Sequence, residues 1–416
     1  MIKFYPAVFN GKIKAPASEI HAQRLLYAAA MADGRSLIFN LPDCTNIDTS
    51  ISCLEAFGCR FGHDEFNQNA LVVEPFVKTN PVPSASFDFN ECSAAARFTL
   101  PLAAGCGIRS ECTAGEFFMK RRQMFALTSR MAIRGVSFSN FSLPFSMSGR
   151  LASGDFKFSG DDDPQYICSF LMSLPLLRGD SDIILESPLP DDSTVCMTIE
   201  ELAKFGIRIE KTGKGWHVPG AQTYSTVPRL TVENDWALAN VWVTTGVFSA
   251  RNGGRVEIEK LPANSTQLYR NTSPAYALLS QDFAELNLDC SQHPNMAAVF
   301  GAAAAIKGAT LHLSGVRQLR IGDSDRFRSL ELLAKTLGGH CEYTEDSITI
   351  AGNPDAEYEN AVIDTCGDPW MFISAAAVAP LMRHPVLVDD EHCAEKIYRG
   401  FLEDYKALGG RFEIIE

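Results

Sequence analysis

One local pattern recurs along this chain of 416 residues: an amphipathic helix that ends at glycine, followed by a short strand of alternating character. The pattern is clearest in residues 54–61 (LEAFGCRF) and 202–209 (LAKFGIRI). Two further copies end at Gly338 and Gly409, and a weaker copy ends at Gly135. Glycine suits this position because it readily adopts the left-handed conformation that closes a helix.

The spacing of the copies predicts a repeat architecture. Successive glycines lie about 70 residues apart, and the interval from Gly206 to Gly338 is about twice as long. We interpret residues 283–289 (FAELNLD) as a degenerate copy within that interval, which gives six units. Unrelated α/β segments with coincidental helix caps are the alternative, and the regular spacing argues against them.

Each unit also contains a helix rich in small and apolar residues. Because such helices are apolar nearly all round, we expect them to be buried, with sheets outside them. They are predicted at residues 23–31, 94–104, 165–175, 237–245, 295–306 and 370–381.

The predicted fold class is α/β, with six repeats of a βαβαββ-like unit arranged as two domains of three units. The first domain spans residues 17–225, and the second combines residues 1–16 with 226–416. The polar, turn-rich segment 211–231 is the predicted crossing, and a first strand over residues 3–14 belongs to the second domain. We expect a ligand cleft between the domains.

Charge and cysteine usage limit the partners and the compartment. The chain has 37 Lys and Arg against 50 Asp and Glu, a net charge of -13, which argues against nonspecific binding to nucleic acid or to an anionic membrane. The 12 cysteines are scattered without metal-binding spacing, as expected of free thiols in a reducing compartment. No segment is typical of a signal peptide or a membrane helix. We expect a cytoplasmic monomer without metal or cofactor.

Short motifs in the first half resemble those of the 5-enolpyruvylshikimate 3-phosphate (EPSP) synthase family. The family's Pro-Gly-Ser-Lys-Ser-x-Ser-x-Arg is similar to residues 16–24 (PASEIHAQR), and its Asn-x-Gly-Thr-x-x-Arg to residues 91–97 (ECSAAAR). Its Arg-x-Arg-Pro is similar to residues 120–123 (KRRQ), and its Ser-Ser-Gln to residues 163–165 (DPQ). The order of the motifs is the same in both.

The resemblance continues through the second half. The family's Pro-Asp reads Pro294-Asn295, and its Arg-x-Lys-Glu-Ser-Asp-Arg reads RIGDSDR at residues 320–326. Its Asp-His-Arg reads DPW at residues 368–370, and Cys-x-x-Lys is kept at residues 393–396. The resemblance therefore covers the whole chain.

The resemblance implies a fold and a reaction. The fold is the two-domain enolpyruvyl transferase fold, an inside-out α/β barrel. The reaction is that of a 3-phosphoshikimate 1-carboxyvinyltransferase of the shikimate pathway to aromatic amino acids. It moves the enolpyruvyl (carboxyvinyl) group of phosphoenolpyruvate to shikimate 3-phosphate without a metal. The implied partners are therefore small anions similar to phosphoenolpyruvate and to shikimate.

The matching positions imply roles for individual residues. Those implied to bind phosphoenolpyruvate or another anion are Arg122, Arg326 and Lys396, whose donors suit phosphate and carboxylate. The alternative is that they are ordinary surface cations or partners in ion pairs. Those implied to bind the acceptor are Arg24, Gln165 and Ser187. Asp323 is a candidate acid, and His21 is a candidate base, although a structural role for a single histidine is the alternative.

Several family positions are altered, and the alterations bear on activity. They are Glu19, Ile20, Asp163, Gly322 and Trp370, and Asn295 stands where the family has its catalytic aspartate. An amide does not accept a proton near neutral pH, and a carboxylate repels a phosphate. We therefore expect activity to be weak, lost or redirected to another substrate. The alternative is a non-catalytic relative that binds a small anion or a partner protein.

Overall fold

A computed structural model describes residues 1–76, 82–121, 124–267, 269, 283–320 and 325–415. The chain divides into two compact units, which we call the central unit (Ala17–Glu233) and the terminal unit (Met1–Pro16 with Asn234–Glu416). The second crossing lies further along than residue 225, because the strand Arg229–Thr231 pairs in parallel with Ser36–Phe39 of the central unit.

The described elements follow in chain order. The strands are β1 Ile2–Tyr5, β2 Asn10–Lys14, β3 Ser36–Phe39, β4 Arg60–His63, β5 Ala70–Glu74, β6 Ser84–Asp88, β7 Arg109–Thr113, β8 Val136–Phe138, β9 Phe145–Gly149, β10 Asp155–Phe158, β11 Ser181–Leu185, β12 Glu210–Thr212, β13 Gly215–Val218, β14 Arg229–Thr231, β15 Arg255–Glu259, β16 Glu285–Asp289, β17 Thr310–Ser314, β18 His340–Tyr343, β19 Ser347–Ala351, β20 Val362–Ile363, β21 Val386–Val388 and β22 Arg411–Ile414. The α-helices are α1 Glu19–Ala30, α2 Thr45–Phe57, α3 Ser93–Cys106, α4 Glu116–Arg121, α5 Phe125–Ile133, α6 Pro164–Ser173, α7 Ser193–Lys204, α8 Trp236–Ala250, α9 Met296–Lys307, α10 Arg326–Thr336, α11 Pro369–Ala377 and α12 Phe401–Ala407. Short 3₁₀ turns occur at Leu174–Leu176, Arg317–Arg320, Ala379–Leu381 and Cys393–Lys396.

The sheets repeat one topology. Within the described ranges, five sheets have four strands with the same pairing: the first two strands are parallel, the third pairs antiparallel with the second, and the fourth pairs antiparallel with the third. These are β14-β3-β5-β4, β6-β7-β9-β8, β10-β11-β13-β12, β16-β17-β19-β18 and β20-β21-β1-β22. The sixth sheet pairs β2 with β15 in parallel. This repeated order confirms the predicted α/β fold of repeated units.

One helix of each of the six repeats is buried, as the sequence predicts. In the central unit α1, α3 and α6 are almost wholly buried, and in the terminal unit α8, α9 and α11 are. Every residue of α9 except Lys307 is buried. Most residues of these helices belong to the hydrophobic cores of the two units, and α9 in particular is rich in alanine.

The glycine positions behave as predicted, but two local interpretations are wrong. The five glycines that end the amphipathic helices have positive φ angles, from 77° at Gly338 to 110° at Gly58. Residues 285–289 form β16, which opens a unit by pairing with β17, so they are not a helix end. The single strand expected over residues 3–14 is two strands, because Pro6 supplies no amide hydrogen and the chain changes sheets there.

The twelve cysteines are all free thiols. Within the described ranges, no helix combines the length and the apolar character needed to cross a membrane.

Candidate functional site

The first turn of α1 carries Glu19, one of the altered positions. Its Oε1 accepts hydrogen bonds from Gln23 Nε2 at 2.7 Å and from Asn46 Nδ2 at 3.5 Å. Burial raises the pKa of the nearby Cys44 thiol well above its ordinary value, and the Glu19 carboxylate adds to that rise. The first turn of α1 therefore carries a carboxylate at the position where the family has a lysine.

Arg24 lies one turn further along α1 and is 1% exposed. Its Nε donates to Thr198 Oγ1 at 2.9 Å, and its Nη1 donates to the carbonyl oxygen of Ile20 at 2.7 Å. The guanidinium carbon lies 5.5 Å from the centre of the Phe98 ring. These contacts hold Arg24 within its own unit, so its predicted contact with an acceptor remains a prediction.

His21 is buried, and both of its ring nitrogens face groups of the central unit. Nδ1 accepts a hydrogen bond from the backbone N–H of Glu233 at 2.9 Å, and Nε2 lies 3.0 Å from Glu201 Oε1. Burial acts to raise the pKa of Glu201, but contacts with His21 and Lys204 outweigh burial and lower it. This arrangement favours the structural alternative for His21, which holds the segment that ends at Glu233.

The N-terminus of α6 brings together Asp163, Gln165 and Arg97. Asp163 Oδ1 accepts a hydrogen bond from the backbone N–H of Gln165 at 2.9 Å, and Oδ2 lies 2.9 Å from Arg97 Nη1. The same Nη1 donates to Gln165 Oε1 at 2.9 Å. Because the Arg97 side chain is 5% exposed, the Asp163 carboxylate acts as a nearly buried counterion. Gln165 is thus engaged with Arg97.

Ser187 belongs to a small hydrogen-bonded loop beside this helix end. Its Oγ accepts a hydrogen bond from the backbone N–H of Gly160 at 2.7 Å and lies 3.3 Å from Ser159 Oγ. Asp162 belongs to a run of three aspartates, residues 161–163, at the start of α6. Its Oδ2 lies 2.6 Å from Arg130 Nη2. Two of the three carboxylates of that run therefore pair with arginines.

In the terminal unit, Arg326 begins α10 and contacts two other segments. Its Nε donates to Asp368 Oδ2 at 2.6 Å, and its Nη1 donates to Asn295 Oδ1 at 2.5 Å. Asp368 also accepts a hydrogen bond from the backbone N–H of Trp370 at 2.8 Å, which caps α11. Three segments distant in sequence thus meet at one guanidinium group, whose side chain is 14% exposed.

Lys396 and Trp370 lie in the same unit. Lys396 Nζ donates to the carbonyl oxygen of Gly367 at 2.8 Å, next to the residue that binds Arg326. Trp370 is 9% exposed and belongs to the hydrophobic core of the terminal unit, so its ring is mainly a packing group.

Three of the predicted site residues, Arg122, Gly322 and Asp323, lie outside the described residues. The structure brings Asn295 together with Arg326, and Gln165 together with Asp163. In the described part of the chain, no group of three or more His, Cys, Asp or Glu side chains could hold a metal ion.

Arg97 and Asp368 also bind predicted site residues, although the sequence motifs implied no role for either. A signal for their surroundings is present: both Asp163 and Asp368 are followed by proline and begin a helix. Aspartate at the N-cap with proline at the next position is a common helix start. That signal identifies the cap but not the arginine that the second carboxylate oxygen binds.

Comparisons with known proteins agree with the fold. The family model for EPSP synthase (3-phosphoshikimate 1-carboxyvinyltransferase) matches residues 5–405. Proteins named 3-phosphoshikimate 1-carboxyvinyltransferase from Clostridium kluyveri and Clostridium botulinum (strain Eklund 17B / Type B) are 26% and 25% identical, over 99% of this chain and 98% of theirs. An EPSP synthase structure from Acinetobacter baumannii has a TM-score of 0.76 at 15% identity and covers 100% of this chain and 99% of that chain.

Proposed function

Because the chain belongs to the EPSP synthase family, a family of transferases, we propose that it transfers the carboxyvinyl group of phosphoenolpyruvate to an acceptor other than shikimate 3-phosphate. The proposal has two parts, a retained anionic donor and an altered acceptor.

The observation that carries the proposal is the pairing of Asp163 with Arg97 at the N-terminus of α6. A helix N-terminus beside a buried arginine suits an anion, and here the carboxylate of the chain itself occupies that place. A phosphate brought to within about 4 Å of this carboxylate would be repelled by roughly 4 kcal/mol per pair of unit charges at an effective dielectric near 20. Asp163 therefore disfavours an acceptor that carries phosphate.

Two further side chains, Ser187 and Glu19, also disfavour an acceptor that carries phosphate. Ser187, the residue implied to bind the acceptor phosphate, already accepts a hydrogen bond from Gly160. Glu19 places a carboxylate where the family has lysine, so it too disfavours a phosphate. A hydroxyl compound without a phosphate group is the acceptor class that these side chains suit.

The donor side supports retention of an anion. Arg326 and Lys396 come from different segments of the terminal unit and match family contacts to phosphoenolpyruvate. A planar guanidinium group can donate two hydrogen bonds to one carboxylate or phosphate. Asn295 cannot act as a base, so we expect turnover with shikimate 3-phosphate below about 1 per second, the lower end of typical enzyme rates.

The test compares two acceptors that differ only in the phosphate. Phosphate release from phosphoenolpyruvate is measured with the full chain and either shikimate or shikimate 3-phosphate. We expect no preference for the phosphorylated acceptor, and we expect Asp163→Ser to raise the relative rate with it. Asp155→Ser, at an exposed position of β10, is the matched control.

Efficient turnover of shikimate 3-phosphate by the unaltered chain would contradict the proposal. If neither acceptor is converted but phosphoenolpyruvate raises the melting temperature, the result favours the non-catalytic relative that binds a small anion.

A further inference from the structure

The sheet β6-β7-β9-β8 of the central unit carries a groove on its solvent-exposed face. Ser86 and Asp88 of β6 and Glu111 of β7 line this groove and are exposed. Their neighbours Phe87 and Cys112 are buried, because successive side chains of a strand point to opposite faces of the sheet. The groove has a volume of about 460 Å³, which is within the range of pockets that hold a ligand.

The loop between β8 and β9 forms another part of the groove, with Pro144 and Phe145. Two hydrogen bonds close the base of this loop. The backbone N–H of Ser139 donates to the carbonyl oxygen of Ser146 at 3.0 Å, and the backbone N–H of Ser146 donates to Ser139 Oγ at 2.8 Å. Because the loop is held in place without a ligand, binding at the groove requires little further ordering.

A row of aromatic rings connects the groove to the surface. The ring centres of Phe145 and Phe138 lie 5.2 Å apart, and those of Phe138 and Phe141 lie 6.1 Å apart. The Phe141 ring in turn lies 5.7 Å from the ring of Phe125 in α5. Phe145 is buried, but Phe141 is 40% exposed and Phe125 is 59% exposed. These four residues, which we call the aromatic row, extend the groove onto an exposed apolar surface.

Exposed apolar side chains are concentrated in this part of the chain. Within the described ranges, five of the eleven exposed large hydrophobic side chains lie in residues 117–141, namely Phe117, Met119, Phe125, Ile133 and Phe141. Single exposed apolar side chains are ordinary, but a concentration of them marks a surface that binds a partner. Two of the five, Phe125 and Phe141, belong to the aromatic row.

The charges of the groove indicate what kind of partner it suits. Asp88 and Glu111 line the groove, and no Lys, Arg or His is among the described residues that do so. Asp88 Oδ1 accepts a hydrogen bond from the backbone N–H of Asn90 at 2.9 Å, which orients that carboxylate. A positively charged side chain is therefore favoured. A second copy of this chain, with its net charge of -13, is disfavoured.

We propose that the groove and the aromatic row dock a partner protein through a basic, apolar segment. An arginine or lysine of that segment binds Asp88 and Glu111, with its apolar stem against Pro144. A neighbouring apolar side chain of the segment packs on Phe141 and Phe125. The inference is independent of the proposed function, because it uses no residue assigned to the donor or to the acceptor.

The test titrates the full chain with blocked pentapeptides that differ at one position, in a calorimeter at low salt. The first is Gly-Phe-Arg-Phe-Gly, and the other two have glutamine or glutamate in place of arginine. We expect the arginine peptide to bind with a dissociation constant of about 1 mM or below. The glutamine peptide should bind about fivefold more weakly, the factor expected for one charge pair about 4 Å apart in water. The glutamate peptide should bind more weakly still.

Variants of the chain show whether the peptide binds at the groove. Asp88→Asn and Glu111→Gln should each weaken binding of the arginine peptide about fivefold and leave binding of the glutamine peptide unaltered. Asparagine at position 88 can still accept the hydrogen bond from the backbone of Asn90, so the melting temperature should not change. Phe141→Ser should weaken binding of both peptides. Asp155→Asn, the same change at an exposed position of β10, is the matched control and should leave binding unaltered.

Absence of binding of the arginine peptide at about 1 mM would overturn the inference, as would equal binding of the three peptides or an equal loss in Asp155→Asn. Sedimentation of the unaltered chain is a further measurement. Self-association that Phe125→Ser abolishes would assign the aromatic row to a second copy and would also overturn the inference. Failure of the proposed function is a separate result, because it appears in turnover and none of these measurements uses turnover.

Discussion

Replacement of Asp163 by alanine should destabilise the chain strongly, because its carboxylate is nearly buried and serves two groups. It accepts the capping hydrogen bond from Gln165, and it lies 2.9 Å from Arg97, whose side chain is 5% exposed. Removal of one partner of a buried ion pair costs about 3–5 kcal/mol, and loss of an N-cap costs about 1 kcal/mol. We expect a total loss near the upper part of that range, about 4–5 kcal/mol.

Asp163→Asn separates the two contributions. Asparagine keeps the cap but removes the charge, so it should be about 1 kcal/mol less destabilising than alanine. Inorganic phosphate should stabilise Asp163→Ala more than the unaltered chain, because an anion can occupy the vacated place. At 100 times its dissociation constant it would restore about 2.7 kcal/mol.

The assay is equilibrium unfolding in urea, with Asp155→Ala on the surface of the same unit as the control. The control should change the free energy of unfolding by no more than about 0.5 kcal/mol. If Asp163→Ala is no less stable than this control, the ion pair contributes nothing, and the argument that Asp163 acts as an internal counterion fails.

Three further perturbations test other parts of the structure. Asp235→Ala removes the side-chain cap of α8 and should lower the free energy of unfolding by about 1 kcal/mol, measured in urea; an unchanged value would contradict the cap. The hydrogen bond to Asp182 raises the pKa of His217 above its ordinary 6.5, so its stabilisation should be full below pH 6.5 and lost as pH rises through the raised pKa; unfolding at a series of pH values should show this slope, and His217→Asn should lack it. Gly160→Ala would place a methyl group 1.9 Å from the carbonyl oxygen of Pro188, so the loop must move and the melting temperature should fall, whereas an unchanged melting temperature would show that the loop adapts freely.

The sequence predicted the fold largely from local signals. Helix ends and buried helix faces depend on residues within a few turns of the chain. The recurring helix-glycine-strand pattern and the apolar helices could therefore be predicted without knowledge of their tertiary contacts. The prediction failed at residues 283–289, where two leucines in alternation specify a strand equally well. A short apolar alternation does not say whether the strand opens or closes a unit.

The pairing of side chains was decided by the tertiary structure alone. The sequence placed Asp163 and Asp368 beside prolines, which indicates a helix cap, but it did not show that each carboxylate also binds an arginine. Those arginines belong to other helices, and only the packing of the buried helices and of the segments at their N-termini sets their distances. The direction of the Asn295 amide was decided in the same way, because a donor from α10 determines which of its two polar atoms faces inward.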